Sequence, residues 1–149
     1  MDVPQYSLGF FFKRSRLHDM FTDVCLIQKN KPEWMKGRLN GVGGKLESDE
    51  LPLQCMIREF EEETGVRVTN WAMVAVLNAM VPGGRKTTVF VYKGWTYDDV
   101  GIRSTTDEPV AWYNLNELWH YQTVPNLHWL IPMCLHDPDY VHHITDVKR

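Results

Sequence analysis

Residues 44–66, GKLESDELPLQCMIREFEEETGV, constrain this chain more than any other stretch. From Pro52 onward Leu53, Met56, Ile57, Phe60 and Thr64 recur at helical spacing, so one face of a helix is expected to pack on a core. Pro52 suits the first turn of that helix, and Gly65 sits where a left-handed residue commonly ends one. At 100° per residue, Glu59, Glu62 and Glu63 fall within about 100° of one another, and the apolar stripe is centred roughly 120° away. Three like charges that close repel each other and destabilise an isolated helix. A hard divalent cation such as Mg²⁺ relieves the repulsion, because it prefers carboxylate oxygens and keeps waters and phosphates as further ligands. For an arbitrary Glu-rich run, a solvated acidic face is the ordinary reading. Arg58 is placed to pair with Glu62 one turn on, or with Glu50 if the preceding loop folds back. Cys55, one turn before Glu59, is expected to point toward the acidic face.

The remainder of the 149 residues contains no internal repeat, low-complexity tract or linker, so residues 1–149 read as a single domain, long enough to bury a core. With 44% hydrophobic and 23% charged residues, the chain is neither disordered nor collagen-like. No apolar run approaches the roughly 20 residues of a bilayer-spanning helix. The opening residues lack the pattern of a secretory leader, and Cys25, Cys55 and Cys134 are too scattered for a disulfide framework. The expectation is a reducing, cytoplasmic setting. Strands are expected at Tyr6–Phe12, Thr22–Gln28, Val68–Val81, Lys86–Tyr92 and Val110–Leu115, with a turn at Pro82-Gly83-Gly84. Residues 28–45 read as an exposed basic, glycine-rich loop, and Thr96–Pro109 as a polar one. A helical turn is expected over Asn116–Tyr121. Leu127, Leu130, Ile131, Cys134 and Leu135 mark a second amphipathic helix whose start Pro132 limits, and a polar tail follows from His136. These elements predict an α/β (α+β) fold, a mixed β-sheet with helices packed on it.

Residues 44–66 resemble the Nudix box, G-x5-E-x7-R-E-U-x-E-E-x-G-U with U bulky and apolar. Gly44, Glu50, Arg58, Glu59, Phe60, Glu62, Glu63, Gly65 and Val66 fill its nine fixed positions. At ordinary residue frequencies a chance match in this length is on the order of one in ten million. The resemblance implies the Nudix fold, a mixed sheet sandwiched between α-helices, and hydrolysis of a diphosphate linkage with Mg²⁺, for which Mn²⁺ can substitute. It implies Glu59, Glu62 and Glu63 as metal ligands, with Glu59 also a base for the attacking water. The backbone carbonyl of Gly43 or Gly44 would join the metal shell, and an Arg58–Glu50 ion pair would orient the glutamates.

Beyond the box, residues 36–45 (KGRLNGVGGK) look like the entry loop of enzymes that act on oxidised purine nucleoside triphosphates. There the residue matching Asn40 hydrogen-bonds the base; beside Gly41 it can equally serve as a turn former. Arg38, Lys45 and Lys36 are phosphate-contact candidates. Residues 106–112 (TDEPVAW) resemble a loop that sends another acid toward the metal, Glu108 by preference and Asp107 otherwise. Residues 124–132 look like the helix start that closes the base pocket, with Asn126 as a reader of a base edge. Here the chain departs from the oxidised-purine pattern, carrying Val124, Asn126 and Leu127 where that pattern has Trp and an acid pair.

The implied partner is a small nucleotide. Dinucleotide polyphosphates, nucleotide sugars, ADP-ribose and capped RNA ends are alternative substrates, and a non-catalytic nucleotide-binding module is a further reading, although such modules typically lose box glutamates. No membrane partner is expected, nor other nucleic acid. The resemblance is compatible with a homodimer, which no sequence feature establishes. Trp34 in the basic loop is a base-stacking candidate; Cys134, His136, His142 and His143 lack the spacing of a structural zinc site. The net charge of −3 conceals a division: Glu47–Glu63 holds seven acids against one base, and Lys29–Lys45 five bases against one acid.

Overall fold

The aromatic run near the N-terminus forms the strand on which the others assemble. In the computed structural model, which describes residues 3–81, 83–136 and 141–145, this strand is β1 (Gln5–Arg14). It is followed by β2 (Phe21–Gln28), β3 (Leu39–Asn40), β4 (Val42–Lys45), α1 (Pro52–Thr64), β5 (Ala72–Val81), β6 (Arg85–Thr96), β7 (Val110–Asn114), α2 (Leu127–Leu135) and β8 (His142–Thr145). One edge of β1 pairs in parallel with β6 from Gln5↔Thr88 to Lys13↔Thr96. On its other side, β1 pairs with β2 only over Phe11–Arg14, while β4 pairs with Tyr6–Gly9. β3 meanwhile pairs with Ile27 and Gln28 at the end of β2, so residues 39–45 bridge the two strands where they part. The sheet runs β3-β2-β1-β6-β5-β8, with β7 on β2.

Side chains alternate across this sheet with the period of two that a strand imposes. Phe10, Phe12, Val24 and Leu26 join Leu127, Leu130, Ile131 and Cys134 of α2 in one core. Phe11, Cys25, Ile27 and Val42 join Met56 and Phe60 of α1 in the other. The sheet is therefore sandwiched between the two helices, as the Nudix resemblance implies. Phe60 anchors α1 within an aromatic group, its ring centroid 5.1 Å from both Phe11 and Trp71.

Several expectations need correction. Residues 28–45 are not simply an exposed loop: they contain a 3-10 turn at Glu33–Met35 and the two short strands β3 and β4, with Leu39 and Val42 buried in opposite cores. Glycines suppress the strand signal there, yet the backbone finds partners on β1 and β2. On α1 the buried positions are Cys55, Met56, Phe60 and Thr64, while Leu53 lies 39% exposed in the first turn. Pro132 lies inside α2 rather than limiting its start. β5 begins at Ala72, and ahead of it the Trp71 indole donates to the Val68 carbonyl at 2.9 Å. His142–Thr145, read as polar tail, pairs in parallel with Ala75–Asn78 of β5. Residues 1–2 of the leader reading, Pro82 of the expected turn, and residues 137–140 and 146–149 of the tail lie outside the described residues.

Phe60 is fully buried, so Phe60→Ala should destabilise the protein by about 3–5 kcal/mol in urea unfolding. A loss below about 1 kcal/mol would show that α1 is not anchored through this ring.

Candidate functional site

Arg58 organises Glu50, Glu59 and Glu62 at the acidic face of α1. Its Nε and Nη2 donate to Glu50 Oε2 and Oε1 at 2.7 and 2.9 Å, a two-pronged pairing that fixes the plane of the guanidinium. The third nitrogen, Nη1, reaches Glu59 Oε1 at 2.8 Å and Glu62 Oε2 at 3.2 Å. Arg58 Nη2 also donates to the Lys45 carbonyl at 3.2 Å, tying β4 to α1. Both pairings open to Arg58 from sequence are therefore made at once, and the loop before α1 does fold back. Glu50 is further held by the Glu47 amide, which donates to its Oε1 at 3.0 Å. Gln54 accepts the Leu51 amide at 2.9 Å and closes the helix start.

Gly44 lets β4 approach this face. A Cβ there would overlap the Glu59 carboxyl, and one at Gly43 would overlap the carbonyl of Ser7. Gly65 ends α1 at φ 77, the left-handed conformation expected of it. Cys55 sits beside the acidic face as expected, but fully buried, its thiol 3.5 Å from the Gly44 carbonyl. Burial pushes that thiol up to about 11, so it stays protonated and inert at neutral pH.

The carboxyls differ in electrostatic setting. Donation from Arg58 holds Glu50 down at about 2. Burial raises Glu59 despite Arg58, with Glu62 and Glu50 repelling its charge. Burial also raises Glu63, and the charge on Glu59 adds to the shift while Lys29 opposes it. Two carboxyls that resist ionisation beside a third form a donor set that suits a hard divalent cation. The room that Gly44 leaves for Glu59 keeps the β4 carbonyls close by. Among the described residues, no three His, Cys, Asp or Glu side chains converge as ready metal ligands. Arg58 draws Glu59 and Glu62 to itself, and Glu63 instead accepts from Thr106 Oγ1 at 3.4 Å.

The loop before β7 closes the site's far side. Thr105 Oγ1 donates to the Glu62 carbonyl, and the Arg103 amide to the Thr64 carbonyl at 3.0 Å. Glu108 is buried against the basic loop: Lys29 Nζ lies 3.0 Å from Oε1, and the Asn30 amide donates to Oε2 at 2.7 Å. Burial raises the Glu108 carboxyl, but the Asn30 and Lys29 donors outweigh it and hold it below its usual range. Asp107 is exposed and contributes its carbonyl to Asn30 Nδ2 at 2.8 Å. Lys29 was singled out by no motif; only its place at the end of a strand, in a basic run, hinted at it.

The remaining predicted residues lie around β3 and the entry to α2. Leu39 bridges to Thr123 and accepts the Val124 amide at 2.9 Å, which fixes β3 against the start of α2. Asn40 is buried, with Oδ1 accepting the Gly41 amide at 2.8 Å, the geometry of a turn former. Its Nδ2 faces only the Met35 sulfur, at 3.9 Å. Asn126 stands at the N-cap position of α2 without a capping side-chain bond, and its buried Oδ1 has no hydrogen-bond partner among the described residues. Trp34 is half-buried against the α2-side core, Arg38 is half-buried, and Lys36 and Lys45 are exposed.

The NUDIX domain family model matches residues 15–132. The chain belongs to the Nudix hydrolase family. It is 24% identical over 106 residues to an uncharacterized Nudix hydrolase, YvcI, of Bacillus subtilis, covering 68% of this chain and 65% of that one. It is 36% identical over 56 residues to an 8-oxo-dGTP diphosphatase of Proteus vulgaris, covering 38% of this chain and 50% of the relative. The matched stretches thus span about two thirds and one half of those relatives' lengths. The NUDIX domain of Shewanella oneidensis NrtR, solved with ADP ribose, superposes with a TM-score of 0.72 at 16% identity, over 90% of this chain and 87% of that one; the likeness is one of fold.

The Glu50 carboxyl lies lower when folded, about 2 against an ordinary 4.5. The stability from its pairing is complete above roughly 4.5, declines as pH falls and is gone below about 2. The difference in melting temperature between wild type and Glu50→Gln should therefore be largest at neutral pH and shrink steadily below pH 4.5. Thermal unfolding from pH 2 to 7 checks this, and a gap that does not change with pH would mean the pair is not its source.

Proposed function

We propose that this chain is a Mg²⁺-dependent pyrophosphohydrolase that cleaves a nucleoside triphosphate, ordinary or oxidised, to the monophosphate and pyrophosphate. The observation that carries the reading is the Arg58 network, which gathers Glu50, Glu59 and Glu62 around one guanidinium, with Glu59 against Gly44. In this reading Glu59, Glu62 and Glu63 hold the cation, with the Gly43 or Gly44 carbonyl. A cation held there would neutralise phosphate oxygens and lower the pKa of the attacking water. In the same reading Glu59 also accepts the proton of the attacking water. Arg58, clamped by Glu50, orients Glu59 and Glu62 and offsets their mutual repulsion. Arg38, Lys36 and Lys45 supply positive charge on the side from which a polyphosphate approaches.

At the base end, Asn40 offers a donor, since its oxygen is committed to Gly41, and Asn126 offers an unsatisfied buried acceptor. A donor and an acceptor together suit a purine edge. The likeness to the Proteus vulgaris 8-oxo-dGTP diphosphatase supports a triphosphate. The ADP ribose bound by the NrtR domain supports a second reading, in which another nucleoside diphosphate derivative is cleaved.

Glu62→Gln and Glu63→Gln should each lower kcat on the order of a hundredfold or more with Mg²⁺, while circular dichroism and melting temperature stay near wild type. Near-wild-type turnover by either variant at saturating Mg²⁺ would remove it from the metal site. The substrate is tested by chromatographic product analysis of ordinary and oxidised triphosphates, nucleotide sugars, ADP-ribose, dinucleotides and capped RNA with Mg²⁺ and Mn²⁺. Preference for any of the last four groups over every triphosphate would sink the first reading, and nucleotide binding without phosphate release under either metal would favour a binding module.

A further inference from the structure

The pair formed by Lys29 and Glu108 has no place in the metal chemistry as drawn above. Both side chains are largely withdrawn from water, at 18% and 7% exposure. Lys29 Nζ meets Glu108 Oε1 at 3.0 Å, and Oε2 takes the Asn30 amide at 2.7 Å and the Lys31 amide at 3.4 Å. Two backbone-linked contacts hold the same segments together: Asn30 Nδ2 to the Asp107 carbonyl at 2.8 Å, and the Gln28 amide to the Pro109 carbonyl at 2.9 Å. Both oxygens of Glu108 are thus engaged, by groups that a rotation toward α1 would abandon. A buried charge stripped of its partner is strongly unfavourable, so neither member moves freely.

Lys29 is different, because a single acceptor leaves an ammonium with two further N–H donors. The Glu63 carboxyl lies within the electrostatic reach of both Lys29 and Glu108, and Thr106 links that carboxyl to the Glu108 loop. The pair therefore stands beside the carboxylate face. We propose that Lys29 is a phosphate-binding residue of this site, and that Glu108 is the positioning residue that holds it there rather than a direct metal ligand. The inference rests on the hydrolase reading for its substrate, but the role of Glu108 can be tested apart from it.

With Mn²⁺ alone as probe, electron paramagnetic resonance should find Glu108→Gln within about threefold of wild-type affinity and Lys29→Met no weaker than wild type. Glu63→Gln should lose tenfold or more. In turnover, Lys29→Met should raise KM for the triphosphate and weaken inhibition by inorganic pyrophosphate, each roughly tenfold, with kcat changed less than about threefold. Lys29→Arg should restore both, because it keeps the cation. Glu108→Gln should shift KM the same way by a smaller factor. Loss of Mn²⁺ affinity in Glu108→Gln comparable to that in Glu63→Gln would overturn the assignment, as would a Lys29→Met variant that melts lower with KM and pyrophosphate inhibition unchanged. If Glu108→Gln does not fold, the Lys29→Met and Lys29→Arg comparison still decides. A wild-type protein that hydrolyses no nucleotide would sink the hydrolase reading instead, while the Mn²⁺ titrations would still assign Glu108.

Discussion

A guanidinium held from two sides determines how the rest of this molecule is arranged. Left to themselves, Glu59, Glu62 and Glu63 would weaken the C-terminal half of α1 through mutual repulsion. Arg58 supplies the compensating charge from within the same helix, and Glu50 prevents that charge from wandering by occupying two of its nitrogens. The clamp also reaches the Lys45 carbonyl, so the helix and β4 are bound by the same cation. The loop of residues 46–51 must then turn back over the helix start. Bond by bond the energies are modest, but all of them fail together if the guanidinium is lost.

The position of α1 over the sheet has a second, purely apolar cause. Phe11 points to one face of β1 and Phe10 and Phe12 to the other, so the strand divides its aromatic surface between two cores. The Phe11–Phe60–Trp71 group takes up the α1 side. Because Phe60 and Glu59 are neighbours in the helix, seating the ring also points the carboxylate toward Gly44. Packing and chemistry share one helical register, and a residue inserted into α1 would spoil both.

The parts of the site legible in the sequence are those whose geometry is local. Helical spacing alone places Glu59, Glu62 and Glu63 on one face and Arg58 within reach of Glu62, and the aromatic run announces β1; the Arg58–Glu50 pair depends on the loop before the helix folding back. Contacts made across the fold were not legible. β3 and β4 look like loop because glycine and basic residues dominate them, and their strand character comes from the open edges of β1 and β2. Lys29 and Glu108 are 79 residues apart, and no pattern along the chain joins them. Leu53 fits the spacing of the apolar stripe, yet the first turn of α1 leaves it outside, and Cys55 is buried instead. Asn40 shows the turn-former geometry, its Oδ1 accepting the Gly41 amide at 2.8 Å while Nδ2 faces the Met35 sulfur at 3.9 Å.

The short strand β8 has a consequence unrelated to catalysis. It covers part of the outer edge of β5, a ten-residue strand of sequence AMVAVLNAMV. An uncovered edge of that length and apolarity invites pairing with the same edge of another molecule. A chain shortened ahead of His142 would keep every residue of the acidic site and still be prone to stick to its own copies. The last described strand thus occupies part of an edge whose backbone groups would otherwise be open to pairing with another molecule.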